Sequence, residues 1–287
     1  MSNPRADERL RSGPVTRVVR AASWNRPFSE VAKLPSRAPD RLVRYGDSPD
    51  QDAEVWVPVS ETGAAPLVVL LHGGCWLEEY DRSHARPLAA ALAANGFAVY
   101  LPGYRRVGQA GGGWPGTFED IAAAVDRLAE APIPEVDVGA AVLVGHSAGG
   151  QLALWAAGRS LLTPGQALFR PSPFQPRAVI GLAAITDLAA YAGGMNSCQR
   201  VTTKLMGGEP DAVPERYAQA SPAELGTAIR TVLLQGSEDT IVPPAQARSL
   251  PGATVRTIEG AGHFDRIPPG TPAFAMLLDA LHEETCR

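Results

Sequence analysis

The stretch that decides the fold is residues 140–158, AAVLVGHSAGGQLALWAAG, in which an apolar run meets a helical pattern at a single serine. Residues 140–144 are continuously apolar, which is typical of a short strand buried on both faces. Helical spacing then takes over in the apolar residues Leu152, Trp155 and Ala156. Between them, GHSAG at 145–149 fits the G-x-S-x-G pattern of a sharp strand-to-helix turn. The stretch therefore predicts that Ser147 stands at the corner between a strand and a helix, in the position of a nucleophile.

Strand and helix patterns alternate along most of the chain on either side of this stretch. Two alternating segments, 41–45 and 53–59, flank a turn-rich sequence and predict a hairpin. Further strands are predicted at 67–71, 97–101, 140–144, 178–185, 231–235 and 254–258, and further helices at 84–95, 118–130 and 272–284. This alternation predicts an α/β protein with a doubly wound, mostly parallel sheet of about eight strands. In such sheets the carboxyl ends of the strands carry the chemistry.

Two segments depart from this alternation. Residues 1–40 are rich in Arg, Pro and Ser, with Trp24 and Phe28 as large anchors, and we interpret them as an N-terminal arm. Residues 186–228 contain no clear strand, lie between two predicted strands, and are longer than an ordinary connection. They are predicted to form a small helical cap over the strand ends, inserted into one domain that spans 41–287.

The composition indicates a soluble globular protein and argues against several functions. The net charge is −4, which disfavours nucleic-acid binding because phosphate contacts need a basic surface. No apolar run approaches the ~18 residues of a membrane span, and the N-terminus has no apolar signal-peptide core. The three cysteines, Cys75, Cys198 and Cys286, lack metal-ligand spacing, and the first two are expected to pack as buried thiols. We therefore expect a cytoplasmic protein in a reducing compartment, without a metal or cofactor.

A serine hydroxyl is a weak nucleophile near neutral pH, so Ser147 needs a base and an acid that orients the base. His263 follows the last predicted strand in a glycine-rich loop and is the expected base. Asp239 follows the preceding strand and is the expected acid, with Glu238 and Asp265 as neighbouring alternatives. The chain order Ser, Asp, His is the one expected when the nucleophile stands at a strand-to-helix turn.

The loop after the first parallel strand reads HGGCW at 72–76. Paired glycines let backbone N–H groups face a ligand without a side chain in the way. We expect the N–H of Ala148 and that of Gly74 or Cys75 to form an oxyanion hole. Three aromatic residues are candidates for substrate binding: Trp76, Tyr104 and Tyr191. Ordinary packing of these aromatics in the core is an equally open interpretation.

The combination of HGGCW at 72–76 with GHSAGG at 145–150 resembles the α/β-hydrolases. The branch concerned holds kynurenine formamidases, carboxylesterases and hormone-sensitive-lipase-like enzymes, and GSEDTIVP at 236–243 and GAGHF at 260–264 extend the resemblance over about residues 41–284. It implies a serine hydrolase with an acyl-enzyme intermediate, acting on a small-molecule ester or amide that is largely uncharged. An aryl formamide is a specific option by this resemblance.

Two departures from that branch, Cys75 in place of a third glycine and GYRR at 103–106 in place of Asp-Tyr-Arg-Leu, argue against a long-chain lipase. Two other functions stay open. An acyltransferase or peptidase of the same fold would keep the triad, whereas a non-catalytic binding protein of this fold would normally lack one triad member. His72 and His146, beside the functional glycines, are expected to organise loop hydrogen bonds rather than transfer protons.

Overall fold

The structure of the protein is a computed structural model that describes residues 19–20, 25–59, 63–130 and 133–285. Trp24, one of the two anchors assigned to the arm, and Cys286 lie outside these ranges. Across the described ranges, no helix has both the length and the apolar character that crossing a membrane requires.

Strands and helices alternate through the described residues. The strands are β1 (Val19–Arg20), β2 (Arg41–Arg44), β3 (Asp52–Trp56), β4 (Ala65–Leu71), β5 (Ala98–Pro102), β6 (Val136–His146), β7 (Ala178–Leu182), β8 (Arg230–Gly236) and β9 (Thr254–Glu259). The α-helices are α1 (Phe28–Val31), α2 (Arg86–Ala94), α3 (Gly116–Glu130), α4 (Ala148–Gly158), α5 (Leu188–Ala192), α6 (Ser197–Met206), α7 (Pro214–Ala220), α8 (Pro222–Leu225), α9 (Pro244–Arg248) and α10 (Pro272–Thr285), with 3₁₀ helices at Arg82–Ala85 and Arg159–Leu161.

Within the described residues, the strands form one nine-stranded sheet in the order β1-β9-β8-β7-β6-β4-β5-β3-β2. Strand β3 pairs antiparallel with β2 and with β5, and the other pairings are parallel. This confirms the predicted doubly wound, mostly parallel sheet. The two-residue strand β1, from the segment interpreted as an arm, adds an edge strand to the eight expected.

Helices cover the sheet on both faces. Alternate residues of β4 belong to two separate hydrophobic cores, because successive side chains of a strand point to opposite faces. Helices α3 and α4 contribute to one core, and α2 and α10 to the other. Strands β5 and β7 are buried at every residue, as expected where both faces of a sheet are covered.

The segment 186–228, for which a small helical cap was predicted, folds into the four short helices α5 to α8 between β7 and β8. Its longest helix, α6, begins with a capping box in which Asn196 and Gln199 exchange side-chain and backbone hydrogen bonds. It ends at Gly207, which adopts a left-handed conformation with φ of 70°. The cap therefore has its own start and stop signals and presents the first turn of α6 to the site described next.

Candidate active site

Ser147 lies at the turn between β6 and α4, with backbone angles φ 56° and ψ −119° that residues other than glycine rarely adopt. The backbone packs closely here, because a Cβ atom on Gly149 would overlap the carbonyl oxygens of Leu71 and His72. The Ser147 N–H donates to the Leu182 carbonyl at 2.9 Å, which fixes the turn to the neighbouring strand β7. The structure thus places Ser147 at the strand-to-helix corner that the sequence predicts.

His263 and Asp239 come together in the loops that follow β9 and β8. His263 Nδ1 lies 2.9 Å from Oδ2 and 3.1 Å from Oδ1 of Asp239, and both side chains are buried. The backbone N–H groups of Ile241 and Val242 donate to Oδ1 of this carboxylate at 3.0 and 2.9 Å. Because the carboxylate occupies Nδ1 of His263, Nε2 is the ring nitrogen that remains available to accept a proton.

The buried cation of Arg266 lies behind this pair. Its Nη1 donates to the carbonyls of Gly262 and His263 at 2.8 and 3.0 Å and lies 3.8 Å from Asp239 Oδ2. Burial alone would raise the pKa of Asp239, but the His263 hydrogen bond, the charges of His263 and Arg266 and the Val242 amide together lower that pKa below its usual value. Burial lowers the pKa of Arg266 to about 10, so it stays charged at neutral pH. The Asp239 carboxylate is therefore ionised and able to stabilise a charged imidazole.

The two alternative acids do not contact the imidazole in this way. Glu238 is exposed to solvent. Asp265 is fully buried, but its carboxylate accepts the N–H of Gly262 at 2.7 Å and the N–H of Arg26 at 3.1 Å. Asp265 therefore ties the histidine loop to the N-terminal segment instead of orienting the imidazole.

The HGGCW loop packs against the turn that carries Ser147. A Cβ atom on Gly73 would lie 2.8 Å from the carbonyl oxygen of His146, so only glycine lets this loop approach so closely. Gly74 and Cys75 adopt positive φ angles of 108° and 52° and share a cavity with Ser147. Ala148 is the first residue of α4, where backbone N–H groups have no acceptor within their own helix. The backbones expected to form an oxyanion hole are thus placed around Ser147.

A disulfide bond joins Cys75 to Cys198 and so links the HGGCW loop to the cap helix α6. The expectation that Cys75 and Cys198 are separate buried thiols is therefore wrong. Their Cα atoms lie 5.0 Å apart, within the range of disulfides, although they are 123 residues apart in sequence. The pairing could not be predicted from the sequence, because only folding of the cap brings the two segments together. The bond also removes the basis of the expected reducing compartment, since that expectation rested on unpaired cysteines. The cytoplasmic location stays a prediction.

The cavity beside Ser147 has a volume of about 360 Å³, which is the size range of small-molecule sites. Aromatic rings form much of its wall: Phe28, Tyr80, His84 and Phe264, together with His146 and His263. Glu79 is the carboxylate among the described lining residues, and it is exposed to solvent. Within the described parts of the chain, no group of three or more His, Cys, Asp or Glu side chains is placed to hold a metal ion.

The three aromatics considered for substrate binding, Trp76, Tyr104 and Tyr191, are almost completely buried and are not among the described residues that line this cavity. The Tyr104 hydroxyl donates to the His72 carbonyl at 2.8 Å, and the Tyr191 hydroxyl donates to the Ile241 carbonyl at 3.1 Å. These side chains support the loops of the site from behind, which is the core interpretation that the sequence left open.

Two buried histidines also support the site. His146 Nε2 donates to the backbone carbonyl of His263 at 3.0 Å, which fixes the histidine loop. The His72 ring stacks on Tyr104 with centroids 4.3 Å apart. Burial lowers the pKa of both histidines well below the usual value, so both are neutral at physiological pH. Their place in loop hydrogen bonds and packing agrees with the expectation that they organise the loops.

Sequence reasoning missed several residues around the site, among them Phe28, Tyr80, His84, Phe264 and Arg266. They come from loops and very short helices, which carry no hydrophobic periodicity. A partial signal existed for Phe264 and Arg266, because both lie within three residues of His263 in the chain.

Comparison with known proteins agrees with this architecture. The family model BD-FAE matches residues 53–253. A probable carboxylic ester hydrolase of Mycobacterium tuberculosis, LipM, is 27% identical over 262 residues, which cover 83% of this chain and 59% of that protein. The chain therefore spans less than two thirds of the length of this curated relative.

Solved structures share the fold at low sequence identity. A truncated form of a carbohydrate esterase from gut microbiota has a TM-score of 0.72 and 22% identity, covering 88% of this chain and 100% of that one. Esterase B from Lactobacillus rhamnosis has a TM-score of 0.74 and 21% identity, covering 90% of this chain and 89% of that one. Since the family match spans more than half of the chain and the sheet has the same architecture as these structures, the chain belongs to the BD-FAE family and has the α/β-hydrolase fold.

Proposed function

We propose that the protein is a carboxylic ester hydrolase in which Ser147, His263 and Asp239 form the catalytic triad. The observation that carries this proposal is the buried hydrogen bond of 2.9 Å between His263 and Asp239, beside a cavity that both His263 and Ser147 line. The esterase names of the relatives described above support the same reaction class.

In this mechanism the Ser147 hydroxyl attacks the carbonyl carbon of the substrate while Nε2 of His263 takes its proton. Asp239 holds the imidazole through Nδ1 and stabilises its positive charge. The oxyanion that forms accepts hydrogen bonds from the N–H of Ala148 and from that of Gly74 or Cys75. The tetrahedral intermediate then collapses, and the leaving alcohol or amine receives the proton from His263.

Water completes the cycle. His263 removes a proton from the water as it attacks the acyl group on Ser147, and collapse of the second tetrahedral intermediate releases the acid and restores the serine. The same donors hold the second oxyanion. Ser147, His263, Gly74 and Cys75 already border one cavity, which supports this sequence of steps.

The substrate that fits this cavity is small and largely uncharged. Its walls are mainly apolar and aromatic, and the Glu79 carboxylate in the lining is exposed to solvent, so a charged group buried beside Ser147 would lose hydration. An ester meets this requirement, and an aryl formamide is the amide substrate favoured by the sequence resemblance.

Hydrolysis of p-nitrophenyl acetate and butyrate, run beside N-formylkynurenine, tests the proposal. The wild-type protein should release product from at least one of these substrates, and Ser147→Ala should lower kcat by roughly 10⁵-fold or more. Product analysis with added alcohols separates hydrolysis from acyl transfer. A folded wild-type protein that turns over none of the substrates, or a Ser147→Ala variant that retains activity, would reject the proposal.

A further inference from the structure

Phe28, the first residue of α1, forms part of the wall of the cavity that holds Ser147 and His263. Its ring contacts three other rings, with centroid distances of 5.4 Å to Tyr80, 5.5 Å to His84 and 5.6 Å to Phe264. Tyr80 and His84 follow β4, whereas Phe264 follows β9. The Phe28 ring therefore packs between the segment after β4 and the histidine loop and contacts both.

The helix that carries Phe28 is fixed at both ends. Val31 is 1% exposed and packs into the core beneath α2 and α10. On the other side, the Arg26 N–H donates to the buried carboxylate of Asp265, which also accepts the Gly262 N–H at 2.7 Å. The backbone before Phe28 is thus attached to the loop of the proposed catalytic histidine, and Val31 attaches the residues after it to the core.

We propose that Phe28 is a specificity-determining residue that limits the size of the substrate group admitted beside Ser147. The expected effect of Phe28 on ester kinetics rests on the proposed function, whereas its expected effect on ligand binding rests on the cavity alone. Phe28 precedes the residues matched by the family model, so the limit comes from a segment that this match does not cover. The substrates selected are esters or amides whose acyl or leaving group is short, because a longer group meets the Phe28 ring.

The kinetic test compares wild type with Phe28→Ala, Phe28→Leu and Ser29→Ala. Ser29 is the next residue of α1 and is exposed, so its variant is a matched control for a change in this helix. One substrate series varies the acyl chain of p-nitrophenyl esters from acetate to octanoate, and a second varies the alcohol of acetate esters from methyl to naphthyl. Circular dichroism and Tm confirm that each variant is folded.

We expect Phe28→Ala to raise kcat/KM for the longest member relative to the shortest by about 10-fold or more in at least one series, the scale of discrimination in apolar pockets. Phe28→Leu should give an intermediate shift and Ser29→Ala none. If Phe28→Ala changes kcat/KM by the same factor for every member of both series, Phe28 does not set specificity.

A second readout does not depend on turnover. Methyl ketones of rising chain length contain no bond that a hydrolase breaks, and their binding is measured by the rise in Tm. Phe28→Ala should shift the preferred ketone to a longer chain, whereas an unchanged preference would overturn the inference. A wild type that hydrolyses none of the esters yet shows the ketone shift in Phe28→Ala would refute the proposed function and leave the role of Phe28 standing.

Discussion

The Asp239 carboxylate is held on two sides. Backbone N–H groups donate to one of its oxygens, and the His263 imidazole lies within hydrogen-bonding distance of both oxygens. Oδ1 accepts hydrogen bonds from the N–H groups of Ile241 and Val242. If asparagine replaced Asp239, its NH₂ group could not take the position of Oδ1, because it would face these two donors. An asparagine here would turn its NH₂ group towards His263 and force Nδ1 to accept. The proton would then lie on Nε2, where the proposed mechanism needs a free lone pair.

Asp239→Asn should therefore lower kcat by roughly 10³–10⁴-fold while the protein stays folded, because the imidazole is held in the wrong tautomer. Ester hydrolysis and Tm measure the two effects separately. Glu238→Gln, one residue earlier and exposed, is the matched control and should retain wild-type kcat. If the two variants had equal activity, Asp239 would not be the orienting acid.

Three buried histidines, His72, His84 and His146, should make the fold sensitive to mild acid. Burial lowers the pKa of each in the folded state, whereas in the unfolded chain each titrates near ~6.5. Below that pH the unfolded chain binds more protons, so the free energy of unfolding falls as pH falls, by up to about 1.4 kcal/mol per pH unit for each histidine.

Tm should accordingly decrease between pH 7 and pH 5, and His146→Gln should lose less Tm over this interval than wild type. The glutamine amide can still donate towards the His263 carbonyl that His146 Nε2 now contacts. Equal pH dependence in the two proteins would show that His146 does not contribute to acid sensitivity.

Site residues could be predicted where a motif specifies both the residue type and its position after a strand. Ser147, Asp239 and His263 each follow a strand whose pattern is readable, and the structure places them at one end of the sheet. The rings of Tyr80 and Phe28 could not be predicted, because their relation to the cavity depends on the path of irregular segments. The Cys75–Cys198 bond escaped prediction for the same reason.

Among the elements, the strand-to-helix turn between β6 and α4 places the strictest demands on its sequence. Every residue of α4 is buried, so the helix cannot shift outward to make room for a larger side chain near Ser147. The requirement for glycine at 149 is therefore a matter of space, since the carbonyls of β4 and its following loop lie against it.

Gly149→Ala should destabilise the protein strongly or prevent folding, because its Cβ would overlap the backbone oxygens of Leu71 and His72. Gly193→Ala is the control, since a Cβ there would meet its nearest neighbour, the Ala190 carbonyl oxygen, at an ordinary 3.5 Å. Soluble yield and the free energy of unfolding compare the two. Equal stability of both variants would mean that the turn relaxes more freely than the packing indicates.

The elements were predictable where their apolar pattern is continuous and less so at their ends. Strand β7 ends at Leu182, earlier than the predicted 185, because Ala183 has a positive φ of 47° that breaks the extended conformation. Strand β6 begins at Val136, earlier than the predicted 140, because polar and apolar residues alternate before the apolar run. The four cap helices could be predicted only as a helical insertion, since glycines and prolines interrupt their periodicity.

Considered as a whole, the molecule joins its cap and its N-terminal segment to the site through a few long-range contacts. The Cys75–Cys198 bond connects the HGGCW loop to α6 across 123 residues of chain. The Arg26–Asp265 hydrogen bond spans 239 residues and fastens the N-terminal segment to the histidine loop. Distant parts of the chain therefore hold the two loops that border Ser147.

Reduction of the disulfide should lower the free energy of unfolding by about 2–4 kcal/mol, the typical contribution of such a cross-link. Alkylation of the denatured, unreduced protein should modify one of the three cysteines, and prior reduction should expose all three. Cys198→Ser should have the stability of the reduced wild-type protein whether or not a reductant is present. Cys286→Ser should lose stability on reduction as the wild type does. Three alkylated cysteines before reduction would mean that the bond does not form in the isolated protein.

The most direct test of the proposed catalytic triad is covalent labelling of the folded protein with a fluorophosphonate, followed by peptide mapping. We expect one adduct on Ser147, formed much more slowly in His263→Ala and absent in Ser147→Ala. A folded wild-type protein that gains no adduct, or an adduct that maps to another residue, would contradict it.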